Sequence, residues 1–263
     1  MKKLKTELAG FFKIVSTLDK KVVIVLLSVA VLQTVSYYYT SRRFFRIHFY
    51  RDFLSGNGNV ALIEYLFWFI GDFVTFFLVG SLIIKFLLKE KVKDFGLTFG
   101  DYKTGFYFTF IFMIVMIPIL WIVSSYPAFT AKYPHLASAK GDWGIFFVFE
   151  AGMFIYMFAW EFIWRGFMLF GLEKRFGYYA VLMQMIPFVI LHNGKPDIET
   201  FSAILGGIAL GALALRTRTF LYGVFVHFGI MFSIDFFSAL RFRTDEFGVG
   251  ISTIIKIVSK LFN

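Results

Sequence analysis

A succession of long apolar runs, separated by short charged stretches, constrains this chain more than any other feature. A bilayer core of about 30 Å is crossed by roughly 20 apolar residues in a helix. Seven runs approach or meet that length, at about 22–40, 60–84, 106–125, 143–171, 178–192, 201–215 and 220–240. The fifth and sixth are short, which predicts tilted, partial or deeply packed helices. With 59% hydrophobic and 17% charged residues, the apolar surface exceeds what one water-soluble core of this size buries, so lipid must cover part of it. The predicted class is all-α: a polytopic membrane helix bundle of about seven transmembrane helices, with an interfacial helix at each end.

The ends and loops fit that reading. Leu4, Leu8, Phe11, Phe12, Val15 and Leu18 recur at helical spacing opposite a lysine-rich face. Ile251, Ile254, Ile255, Val258, Leu261 and Phe262 do the same beside Lys256 and Lys260. Both segments are expected to lie in the headgroup plane. The run from Val22 has no small-residue cleavage site after it, so it reads as a spanning helix rather than a cleaved signal. Lys174 to Gly177 and Arg216 to Thr219 form tight connections. The polar break at 93–105 divides an N-terminal part, 1–92, from a five-helix core, 93–263. With the N-terminus inside, fifteen Lys and Arg fall on the cytoplasmic side and eleven on the other, which favours that orientation. The net charge of +10 is spread along the helix ends, as expected beside anionic lipid and not for a nucleic-acid patch. There is no cysteine, which excludes a disulfide framework, a thiolate metal site and a cysteine nucleophile.

Ionisable residues inside a membrane are costly, and each is a functional candidate. The apolar runs hold Glu64, Asp72, Glu150, Glu161, Arg165, His192, His227 and Asp235. Glu161 and Arg165 are four apart, so their side chains meet on one helix face. A carboxylate fixed by a guanidinium keeps its charge. With His192 and His227 it makes a Glu/His/His set suited to activating water, by direct base catalysis or through a divalent ion. Gly206, Gly207 and Gly211 mark a strip for close helix packing. Asp72 has no local partner in the sequence; Arg165 or a lysine is the candidate. Glu150 is expected near the outer end, facing water.

The residues 93–240 resemble the CPBP family, the CAAX-prenyl-protease and bacteriocin-processing (Abi) membrane proteins. The resemblance rests on Trp160-Glu161-x-x-x-Arg165, Phe188-x-x-x-His192 and His227-x-x-x-Met231, and on Asp94-Phe95-Gly96-Leu97 ahead of them. It implies an intramembrane endopeptidase, a hydrolase of peptide bonds in or near the inner membrane of a bacterium. A membrane-associated peptide or protein is the implied substrate, with lipid the other partner. Glu161, Arg165, His192 and His227 are the implied catalytic residues, and His192 and His227 the ligands if a divalent metal such as zinc takes part. Two positions depart from the pattern: Trp160 stands where the first glutamate of a pair belongs, and Met231 where asparagine or aspartate belongs. Glu199 and Asp235 are other available carboxylates. A scaffold or immunity protein built on the same fold is the alternative, and a transporter a further one.

Overall fold

The computed structural model describes residues 2–51 and 59–262, and among these the regular structure is helical throughout. Helix α1 spans Lys2–Ser16. Six helices are long and apolar enough to cross a membrane: α2 (Lys20–His48), α3 (Val60–Leu88), α4 (Tyr102–Val123), α6 (Trp143–Phe176), α8 (Asp197–Thr217) and α9 (Leu221–Thr244). Between them lie α5 (Pro127–Lys132) and α7 (Tyr179–Ile190), and α10 (Ile251–Phe262) closes the chain. The molecule is an integral multi-pass membrane protein.

Helix starts follow their capping residues. Asp19 accepts from the amides of Lys21 and Val22 at the head of α2, and Asp142 from Ile145 N (2.9 Å) at the head of α6. Each satisfies amides that the first turn leaves without a carbonyl. α2 is interrupted at Ser41, where the backbone turns extended and the hydroxyl caps the last stretch, Arg42–His48.

The expected seven equal crossings become six long helices and a short one. α7 has 12 residues, or about 18 Å at 1.5 Å per residue. The chain leaves it at Leu191, passes Gly194 in the left-handed region (φ 89°), and enters α8 after Pro196. The sixth run, by contrast, is full length. Asp197–Thr200 and Arg216–Thr217 are helical too, which extends the apolar stretch to 21 residues.

α7 and α8 pack as a hairpin, and the glycines explain part of it. A Cβ on Gly207 would lie 2.8 Å from Met185 Cγ, and one on Gly211 2.9 Å from Gln184 Nε2. Gly206, about 100° around the helix, would meet nothing within 4 Å, so it is not part of that strip. At the end where α8 turns into α9, the pre-core loop is stitched in. Thr219 Oγ1 donates to Gly96 O (2.9 Å), and Tyr222 OH to Phe99 O (2.9 Å).

The N-terminal pair joins through polar contacts that sequence did not pair. Asp72 accepts from Ser36 Oγ (2.7 Å), Thr40 Oγ1 (2.7 Å) and Trp68 Nε1 (2.8 Å), and not from Arg165 or a lysine. Glu64 takes Arg42 Nε (2.5 Å) and Arg46 Nε (2.9 Å). α3 then packs on α6 through an aromatic layer of Tyr65, Trp68, Phe69, Phe149 and Tyr156.

Candidate active site

Glu161 ends the regular α-helical part of α6, and the next residues, Phe162–Met168, run as a π-helical stretch. Such stretches widen the helix locally and recur at functional sites. Glu161 and Arg165 are both fully buried (0% exposed) and joined by Arg165 Nη1–Glu161 Oε1 at 2.9 Å. The guanidinium lies over the Phe188 ring, 4.0 Å from its centroid. Its Nε and Nη2 have no acceptor among the described residues. Glu161 is thus the single hydrogen-bond partner of a buried cation.

The same Oε1 is 2.7 Å from His227 Nδ1. A carboxylate oxygen only accepts, so Nδ1 carries the hydrogen and Nε2 keeps its lone pair. The other carboxylate oxygen faces Gly223: a Cβ there would lie 2.7 Å from Oε2. Glycine lets α9 approach close enough for His227, one turn on, to reach Glu161. His192 is held the same way from the other side. Its Nδ1 donates to Phe188 O (2.7 Å), which again leaves Nε2 free. The two imidazoles lie 6.4 Å apart, centroid to centroid, with their planes 22° from parallel.

A cavity of about 680 Å³ opens onto these rings. His192, His227, Trp160 and Met231 line it, whereas Glu161 and Arg165 lie behind its wall. Trp160, 6.5 Å from His192 by ring centroids, and Tyr156 bring an indole N–H and a phenol O–H to the same wall. The opposite wall is built by the N-terminal pair, with Ser36, Tyr37, Tyr38, Arg42, Arg43, Tyr65, Trp68 and Asp72. Sequence reasoning missed these residues and Tyr156, because only tertiary packing brings α2 and α3 against the core.

The other candidates lie elsewhere. Glu150 and Asp235 are buried together between α6 and α9, with no N–H or cationic partner for either carboxyl among the described residues. Glu150 therefore does not face water as its position near the end of a run suggested. Glu199 pairs with Lys195 (2.6 Å) and accepts from Tyr133 OH (2.6 Å).

A divalent metal at His192 and His227 would find two free Nε2 atoms. Among the described residues, no group of three His, Asp or Glu side chains stands together to hold an ion, and the nearest carboxylate is engaged by Arg165 and His227. A structural or catalytic zinc wants at least three protein donors. The residues do not fit a resident metal, and no step below passes through one.

Residues 142–233 match the family model described as Rce1-like, type II CAAX prenyl endopeptidase Rce1-like. That segment belongs to this family. It starts at the Asp142 cap of α6 and ends in α9, so it spans Glu161, Arg165, His192 and His227. The match supports, in general terms, an intramembrane protease of the CAAX type within the CPBP family. No curated protein and no solved structure matches the chain significantly.

Proposed function

We propose that the chain is an intramembrane endopeptidase in which His227, backed by Glu161, takes a proton from water in the cavity. One observation carries this reading: the Glu161–His227 contact of 2.7 Å places a carboxylate behind an imidazole whose other nitrogen faces an open cavity. Glu161 would fix the tautomer and stabilise the imidazolium as it forms, the part a buried carboxylate plays beside a catalytic histidine. Arg165 would hold Glu161 in place. His192 Nε2 accepts from the second hydrogen of the same water. The hydroxide attacks the peptide carbonyl, and His227 then returns the proton to the leaving amine. Trp160 N–H and Tyr156 O–H are the nearest candidates to stabilise the oxyanion, where this chain has Trp160 and Met231 in place of the expected polar pair. The substrate is a membrane-associated peptide or protein, and the setting a bacterial inner membrane.

The reading differs from one in which Glu161 is itself the base, because Glu161 lies behind the cavity wall. The same fact favours a second reading: a scaffold or immunity protein whose cavity holds a partner helix. Cleavage of membrane peptides by the reconstituted full chain separates them. The protease reading expects cleavage that falls by at least about 100-fold in each of His227→Ala, Glu161→Gln and His192→Ala. Full cleavage by Glu161→Gln and His192→Ala removes its support.

A further inference from the structure

The cavity widens from the two imidazoles into a cationic mouth. Arg42, Arg43, Lys132 and Lys195 line it together with His135. They come from three separate segments, yet they converge. Burial first, and then the charges of Lys195, Lys132 and Arg42, push the His135 imidazole down to about 3. His135 Nδ1 is buried there without a hydrogen-bond partner among the described residues.

The negative charge in reach is already used. Asp72, the carboxylate that lines the cavity, is saturated by Ser36, Thr40 and Trp68. Glu64 neutralises Arg42, and Glu199 neutralises Lys195. Lys132 Nζ is left with one carbonyl, Gly194 O at 3.3 Å. Arg43 has no ion pair or hydrogen bond among the described residues. Two cations of a membrane-embedded cavity are therefore uncompensated.

Their depth points to the source of the counter-charge. Arg42 and Arg43 come some 22 residues after the start of α2, about 33 Å along a helix, which is the far headgroup level. Lys132 ends α5, and Lys195 lies in the connection between α7 and α8 at the same end. Tyr37, Tyr38 and Tyr39 stand exposed beside them, as tyrosines do at a membrane interface. Below the mouth, Met153, Met157 and Met231 give the cavity an adaptable apolar lining.

We propose that this mouth binds the phosphate head group of an anionic phospholipid, with Arg43 and Lys132 on the phosphate and an acyl chain along the methionine lining. A bound lipid would occupy the path by which a peptide reaches His192 and His227.

Native mass spectrometry of the detergent-purified full chain tests this with phosphatidylglycerol and phosphatidylcholine of the same acyl chains. The expected result is about tenfold tighter retention of phosphatidylglycerol, the scale set by one or two basic residues on an anionic head group. That preference should vanish in Arg43→Gln/Lys132→Gln and persist in Arg218→Gln, whose partner Glu173 lies at the opposite end. If the double variant fails to fold, Arg43→Gln alone should lower the preference about threefold. Equal retention of both lipids, or a preference that survives loss of both cations, overturns the proposal. Displacement of phosphatidylglycerol by an equal concentration of inorganic phosphate overturns it in favour of a free anion. Retention of an apolar peptide with a free but not an amidated C-terminus, with no lipid preference, overturns it in favour of a peptide carboxylate. None of these readouts requires proteolysis.

Discussion

Glu161→Gln keeps the shape of the side chain and removes its charge. Arg165 then stays fully buried with nothing to balance it. Its one hydrogen bond runs from Nη1 to Glu161 Oε1, and Nε and Nη2 have no acceptor among the described residues to take over. The Phe188 face, 4.0 Å away, offers about 2 kcal/mol at most. Breaking one side of a buried ion pair costs about 3–5 kcal/mol. At about 2–4 °C per kcal/mol for a chain near this size, the midpoint of thermal unfolding should fall by roughly 6–20 °C. Tryptophan fluorescence of the detergent-purified protein reads it. Glu161→Gln/Arg165→Met removes both charges and should recover most of the loss, because the penalty lies in the orphaned guanidinium rather than in the lost contact. A Glu161→Gln midpoint within 2 °C of the parent, or a double variant less stable than the single one, would show that the pair does not depend on charge balance.

Gly223→Ala should change stability by less than about 2 kcal/mol, since alanine favours the helix by about 1 kcal/mol while its Cβ, 2.7 Å from Glu161 Oε2, moves the carboxylate. Cleavage should still fall by about 100-fold, and a fully active variant would sever Glu161 from the mechanism. Gly207→Leu crowds Met185 and Phe188 and should lower stability by about 1–3 kcal/mol, read by the same unfolding assay; an unchanged midpoint would mean that α7 and α8 do not pack as described. Glu150→Gln gives Asp235 a neighbour with N–H donors where it now has none, and should raise the midpoint or leave it unchanged. A fall of several degrees would reveal a partner that the contacts do not show. Elemental analysis of the purified chain should find less than one divalent ion per molecule; one ion per chain, lost in His192→Ala/His227→Ala, would overturn the donor count at that site.

What sequence made legible follows from local rules. Apolar run length located the spanning helices, and the spacing of four placed Arg165 on Glu161. The two histidines, on separate helices, were legible only as residues too costly to leave in a membrane without purpose. Their tautomers were not, because those depend on Phe188 O and Glu161 Oε1. The partners of Asp72 and Glu64 come from α2, 18 to 36 residues away, and no periodicity encodes them. The expectation that 1–92 adds little to the site failed for the same reason: Arg43, Trp68 and Asp72 enter the cavity wall through tertiary packing alone. The length of α7 was misjudged because Leu191, His192 and Asn193 continue its apolar run in composition but not in conformation.

That short helix has a further consequence for the bilayer around it. About 18 Å of helix leaves some 12 Å of a 30 Å hydrocarbon layer uncrossed. The turn at 191–196 lies in that gap, and its backbone groups cannot be left facing acyl chains. Lipid must thin there or give way to solvent. The protein thus holds a dent in the membrane on the flank where His192 sits, and water can come to a peptide bond that would otherwise lie in oil.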